Sequence, residues 1–323
     1  MAVYTQVPND VLAGLIASYG LGSITACKGI AEGVENTNYL ITTTTGTYIL
    51  TLYEKRVARD DLPFFLGLME HLAAAGITCP TPLRDARGVL LREVEGRPAA
   101  IVTYLSGISL DDPQPGHCAQ LGTALAQLHL AGRDFPIRRE NSLSLAGWRT
   151  LALRLGARAD EIAAGLGRDV ANEIAYQAAH WPSGLPEGVI HADLFPNNVF
   201  FLGDRLSGLI DFYFACNDLL AYDVAVCLNA WCFTPGRTLD RAKAEAMLAA
   251  YAAVRPLAPA EIVALPDLAR AAALRFLLTR AYDWLHTPAS ALVKRLDPLE
   301  YLEKLRHLQG AADARDLGWR SPA

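Results

Sequence analysis

Apolar and polar positions change rhythm along the chain, and the changes mark out its parts. Residues 11–16 form a short apolar run behind Asn9-Asp10, which reads as a capped helix. Then come three runs of β-branched and aromatic residues, 25–30, 39–44 and 47–53, broken by Gly29, Gly33 and Gly46. Three strands in series predict an antiparallel meander. Residues 62–75 recover helical spacing and stop at Gly76, with Pro80 and Pro82 beyond. Residues 89–94 and 99–104 predict two more strands around the turn Glu95-Gly96-Arg97-Pro98. From Leu121 the texture is helical: Leu121, Leu125, Leu128 and Ala124, Leu128, Ala131 share faces, and Ala/Leu/Arg-rich segments run to His180 and again over 239–308. Between those blocks lies a strand-and-loop island, 189–214. The expectation is an α+β, bilobal chain: a small antiparallel β-rich lobe with one helix (1–103), a connector (104–112) and a larger, mainly helical lobe (113–323).

Composition narrows the field. A chain of 323 residues that is 52% hydrophobic and 20% charged can bury a large core, which sets disordered and fibrous classes aside. The net charge of −5 argues against a nucleic-acid partner, and any anionic ligand must then be met by local cations or a metal. The six cysteines show no C-x-x-C pairing, so buried reduced thiols are expected. Asp223 divides the most apolar stretch, 219–233, and no uninterrupted apolar run reaches the roughly 18 residues of a membrane span. A cytoplasmic protein without a membrane partner is expected; oligomeric state is not legible.

The chemistry sits in the island. Residues 199–202 and 206–210 flank Gly203-Asp204 and should pair as a hairpin. Asn198 just precedes the first strand and Asp211 just follows the second, so antiparallel pairing predicts them side by side. An amide oxygen and a carboxylate there suit a hard cation such as Mg²⁺ together with phosphate oxygens. His191-Ala192-Asp193 followed by Asn198 matches the His-x-Asp-x-x-x-x-Asn loop of kinases, in which the Asp accepts the proton of the attacking hydroxyl. Each residue has an ordinary reading too, as turn cap, backbone partner or strand end; the joint offsets favour the catalytic one. His191 itself reads as a packing and hydrogen-bonding support.

Upstream, residues 29–38 contain two glycines and the short polar residues Asn36, Thr37 and Asn38. This is neither a Walker A nor a G-x-G-x-x-G motif. Taken alone it reads first as a plain hairpin turn, which needs the same residue types; with the island downstream it fits a phosphate cradle of backbone N–H groups built by Gly33, Asn36, Thr37 and Asn38.

Together these residues resemble the aminoglycoside-phosphotransferase-like kinases, relatives of protein kinases, with Ala192 where that superfamily usually has Gly. Five strings are similar more narrowly to its homoserine kinase branch. They are Gly33-Val34-Glu35-Asn36-Thr37-Asn38-Tyr39, Leu52-Tyr53-Glu54-Lys55-Arg56 and Asp61-Leu62-Pro63-Phe64-Phe65, with residues 208–218 (from Gly208-Leu209-Ile210-Asp211) and 221–233 (from Ala221-Tyr222-Asp223-Val224). The resemblance implies a protein-kinase-like fold and ATP-dependent phosphorylation of the L-homoserine hydroxyl for threonine synthesis. It implies Asp193 as the catalytic base, Mg²⁺ held by Asn198 and Asp211, and the adenine against Thr103, Tyr104 and Leu105.

Two departures stand out. Thr51 occupies the usual third-strand lysine position, so Lys55 becomes a candidate for the phosphates, with Glu70, Asp61 or the Leu66 position as its helix partner. Asp211-Phe212-Tyr213 lacks the glycine of Asp-Phe-Gly, which suggests a segment not built to flip. A zwitterionic substrate needs an anion for its ammonium, for which Asp218 and Asp223 are candidates, and a cation for its carboxylate, for which Arg275 and Arg280 are; all four also have a structural reading, Asp223 as a support of the catalytic loop and the arginines as ion-paired or solvated side chains. The alternatives are a kinase of the same fold acting on choline, a thioribose or an aminoglycoside, and a nucleotide-binding regulator without catalysis.

Overall fold

The structure is a computed structural model that describes residues 5–30, 36–54, 57–287 and 295–321. It is α+β and divides into two compact units, one of residues 1–106 with 208–213 and one of residues 107–207 with 214–323.

The first unit is built on the anticipated meander. Its elements are α1 (Asn9–Ser18), β1 (Ile24–Ile30), β2 (Asn36–Thr43), β3 (Thr47–Tyr53), α2 (Leu62–Ala74), β4 (Arg92–Val94) and β5 (Arg97–Thr103). The strands form one antiparallel sheet in the order β1-β2-β3-β5-β4. Leu12, Leu15 and Ile16 from α1 pack on Ile41, Leu50, Leu52 and Ile101 from the sheet. Two local expectations change. Asn9 is the first helical residue, and Pro8 takes the cap position without a side-chain bond. The β4–β5 turn is only Glu95-Gly96, both at positive φ (+50° and +71°), because a two-residue loop of that twist matches the strands it joins; Arg97 and Pro98 already pair with Val94 and Glu93. Cys27, on edge strand β1, is exposed, whereas the other five thiols are buried; all six are free.

The second unit contains α3 (Pro115–Ala131), α4 (Leu145–Leu155), α5 (Leu166–His180), β6 (Glu187–Ile190), β7 (Val199–Leu202), β8 (Arg205–Leu209), β9 (Cys216–Leu219), α6 (Leu220–Trp231), α7 (Arg241–Val254), α8 (Pro259–His286) and α9 (Leu299–Leu308). The last two residues of β8 belong to the first unit. The expected hairpin is β7–β8, turning through Gly203 at φ +57°. Strand β9 was not expected; its Cys216 and Leu219 are buried, and it pairs antiparallel with β6 from Ile190↔Cys216 to Glu187↔Leu219. Helix α3 starts at Pro115, six residues before Leu121, because proline at the first helical position lacks only an N–H that would be unpaired there anyway. Every residue of α6 except Ala230 is buried, and α8 buries Ala264 and Leu265 as well as Ala271–Leu278. Helices apolar on every side belong at the centre of a core, so a charge on them must be paired. Asp223 and Arg275 are two such charges. Among the described residues, no helix is long and apolar enough to cross a membrane.

Candidate active site

Strand β6 delivers its chain end to a left-handed turn. After Ile190, Ala192 sits at φ +63°, a conformation in which a Cβ costs roughly 1–2 kcal/mol and which glycine adopts freely. The turn holds because its polar backbone is gripped on both sides. Asp223 accepts the His191 N–H at 2.7 Å on Oδ2 and the Ala192 N–H at 2.8 Å on Oδ1. Arg275 donates to the Ala192 carbonyl, and its other terminal nitrogen lies 3.7 Å from Asp193 Oδ1. Trp231 Nε1 donates to the Leu194 carbonyl at 2.7 Å. Below the loop, His129 Nε2 is 3.1 Å from Asp223 Oδ2. Burial pushes the Asp223 carboxyl up, but the hydrogen bonds from the His129 ring and the His191 backbone N–H help outweigh it and hold it below the usual carboxylate range.

Asp193 is thus presented on a braced loop, its side chain 17% exposed. Its N–H donates to His191 Nδ1 at 3.3 Å, the supporting role expected of that histidine. Asn198 Nδ2 donates to the Asp193 carbonyl at 2.7 Å and lies 3.3 Å from Asp193 Oδ2. Both partners are acceptors, which fixes the amide orientation and leaves Asn198 Oδ1 as the end that can face a cation.

The substrate candidates separate. Asp223 is wholly enclosed with both oxygens engaged, and Arg275 is 2% exposed, stacked over the Phe276 ring at 4.3 Å. Both anchor the loop rather than meet a zwitterion, because neither head group reaches solvent. Asp218, on β9, accepts from Asn141 Nδ2 at 2.7 Å and from the Leu219 N–H at 2.7 Å, while burial raises its carboxyl. Arg280 pairs with Glu300 at 2.6 Å and lies over the Tyr301 ring at 4.5 Å.

In the first unit, Asn36, Thr37 and Asn38 belong to strand β2 rather than to a loop, in register with Tyr53, Leu52 and Thr51. Their side chains serve the sheet. Thr51 Oγ1 donates to Asn38 Oδ1 at 2.8 Å, Thr37 Oγ1 to Glu54 Oε1 at 2.8 Å, and the Glu54 N–H reaches Asn36 Oδ1 at 3.4 Å. A cross-strand hydroxyl–amide pair therefore stands at the third-strand position where kinases place a lysine. Gly33 and Lys55 lie outside the described residues. Glu70 is held by Arg84 through two bonds of 2.8 and 2.7 Å. Thr103 ends β5, bonded to the Thr81 backbone; Tyr104 is exposed, and Leu105 packs over Gly208. Asp211 sits at φ +65°, and Tyr213 beyond it is anchored by the Tyr53 hydroxyl at 3.2 Å and edge-on to Phe65, its phenol pushed up to about 12 by burial.

His129, and Arg275 in its role as a loop anchor, escaped the sequence reading. A lone histidine in the apolar run Leu125-Ala126-Gln127-Leu128-His129 was the one signal available.

A braced Asp loop followed by Asn198, on an α+β chain of this topology, defines a phosphotransferase, and the chain belongs to the phosphotransferase enzyme family, whose model matches residues 26–257. Within it the likeness is narrower. The chain is 60% identical over 318 residues to the homoserine kinase of Xanthobacter autotrophicus, covering 98% of this chain and 99% of that one. It is 58% identical over 320 residues to the homoserine kinase of Sinorhizobium fredii, covering 99% and 98%. A solved spectinomycin phosphotransferase in complex with ADP and spectinomycin shares the fold, with a TM-score of 0.69 at 13% identity over 98% of each chain.

Proposed function

We propose that this protein phosphorylates the side-chain hydroxyl of L-homoserine with ATP, giving O-phospho-L-homoserine for threonine synthesis. Identity of about 60% to homoserine kinases over essentially the whole chain carries this reading. The braced Asp193 loop supplies its chemistry. Asp193 orients the substrate hydroxyl and takes its proton as the oxygen attacks the γ-phosphorus. Asn198 Oδ1 and the Asp211 carboxylate are hard oxygen donors and suit Mg²⁺, which when bound offsets charge on the β- and γ-phosphates.

The adenine is read by backbone groups of Thr103, Tyr104 and Leu105. The phosphates meet Gly33 in the segment 29–38, whose outgoing strand begins with Asn36, Thr37 and Asn38, and Lys55 beyond the third strand is the cation for the α- and β-phosphates. Asp218 receives the substrate ammonium and Arg280 its carboxylate. The Tyr301 hydroxyl supports the latter choice, since among the described residues it is buried without a hydrogen-bond partner and its ring lies 4.5 Å from the Arg280 guanidinium. The six free thiols support a cytoplasmic location.

The test is ADP release with ATP and Mg²⁺ against a panel of alcohols. Turnover on L-homoserine but not on choline, a thioribose or aminoglycosides is the expected result. Preference for another alcohol would move the chain to a sister activity, and turnover on none would make it a nucleotide-binding regulator.

A further inference from the structure

The carboxylate that grips the catalytic loop is the inner end of a longer buried chain of polar groups. His129 on α3 touches Asp223 with Nε2, and its Nδ1 lies 2.7 Å from the Tyr251 hydroxyl on α7. Arg255, just past α7, donates from Nη1 to that hydroxyl at 3.1 Å and from Nη2 to Glu261 Oε1 at 3.0 Å. Glu261, in the first turn of α8, accepts the Ala258 N–H on its second oxygen at 2.9 Å. Asp223, His129, Tyr251, Arg255 and Glu261 are all less than 7% exposed, so no member can turn to water for a missing partner.

Donor and acceptor rules fix the direction of this chain. A guanidinium only donates and a carboxylate only accepts, so Arg255 donates both to Glu261 and to the Tyr251 oxygen. Among the described residues the Tyr251 hydrogen then has one acceptor within reach, His129 Nδ1. That makes the neutral Nε2–H tautomer the form in which every group is satisfied, with Nε2–H directed at Asp223. An imidazolium would leave the Tyr251 hydrogen without an acceptor in a dry site.

We infer that Tyr251, Arg255 and Glu261 are positioning residues for phosphoryl transfer: they fix the tautomer of His129, which keeps Asp223 aimed at the His191 and Ala192 N–H groups and so holds Asp193 in its turn. This rests on the kinase reading of Asp193.

Two readouts test it. In the unliganded, ¹⁵N-labelled protein, long-range ¹H–¹⁵N correlation should show His129 as the Nε2–H tautomer. Tyr251→Phe, which removes only the hydroxyl, should abolish that signature. It should also lower kcat on the order of tenfold by displacing the base, with KM for ATP within about twofold. Glu261→Gln, which keeps an acceptor for Arg255 but removes the charge, should lower kcat less; should Tyr251→Phe fail to fold, this variant and the wild-type spectrum carry the test. An imidazolium in the wild type, or a variant that loses the signature yet turns over at the wild-type rate, would overturn the inference. A wild-type protein with no homoserine turnover would sink the proposed activity, whereas the tautomer measurement would still decide the relay.

Discussion

At the scale of single residues, the site is a left-handed turn kept in place by charges buried for that purpose. Ala192 bears the strain of φ +63° without glycine's freedom, and the hydrogen bonds its N–H gives to Asp223 and its carbonyl accepts from Arg275 offset it. Ala192→Gly should therefore leave the urea midpoint unchanged or raised, because relief of about 1 kcal/mol of strain opposes a similar loss of unfolded-state restriction. Arg275→Met keeps an unbranched apolar side chain but removes the guanidinium that lies over Phe276 and leaves the Ala192 carbonyl unmet, an expected cost of about 1–3 kcal/mol in urea unfolding. Its kcat should fall more than its KM changes, since Asp193 loses its neighbour. Asp193→Asn should retain nucleotide binding by calorimetry while turnover drops by about 10²–10⁴-fold; full turnover would remove Asp193 from the mechanism.

At the scale of elements, the depth of the loop's support depends on how closely two helices approach. A Cβ built on Gly122 of α3 would stand 2.2 Å from the Met247 carbonyl oxygen of α7, a backbone atom that cannot step aside. His129 lies seven residues after Gly122 and Tyr251 four after Met247, which places both on the same faces of their helices. Gly122→Ala should therefore push the helices apart, destabilise the fold by about 1–3 kcal/mol and weaken the His129–Tyr251 bond, to be read together by thermal unfolding and the His129 spectrum.

The helix α5 is tied by a different device. Burial pushes the Glu173 carboxyl up, but hydrogen bonds from Arg270, Gln177 and Gln309 overcome this and hold it below the usual range. A lowered carboxyl contributes stability above its unfolded pKa and loses it as pH falls through the folded value. Unfolding measured from pH 7 downward should show an acid loss that is smaller in Glu173→Gln, which is less stable at pH 7 to begin with.

At the scale of the whole molecule, the chain does not divide at one point. Residues 208–213 rejoin the unit formed by 1–106, where the Leu209 N–H bonds the Thr78 carbonyl at 3.0 Å and Tyr213 packs edge-on to Tyr53 and Phe65. A fragment of residues 1–106 should show poorly dispersed amide resonances, and the same fragment joined by a short linker to 208–213 should regain them; equal spectra would mean that the returning segment is dispensable.

Strands and helices were legible because their periods are local: alternation at 25–30, 39–44 and 47–53, and the shared faces of Leu121, Leu125 and Leu128, need no knowledge of partners. Asp193, Asn198 and Asp211 could be picked out as candidates for the same reason, since one loop and one hairpin fix their offsets. Strand β9 escaped because Asn217 and Asp218 break the apolar pattern, and its pairing with β6 is non-local. Asn36, Thr37 and Asn38 misled because turn residues and strand residues with cross-strand partners look alike until the register is known. The sequence by itself determined the family resemblance, the meander, the hairpin and the carboxylate proposed as the base. Only the tertiary structure decided that Asp223 and Arg275, read as substrate contacts, are the two sides of a clamp on Ala192, and that His129 joins them. The residues involved are 31 to 94 positions apart in the chain, and nothing shorter than the packed core brings them within a hydrogen bond of each other.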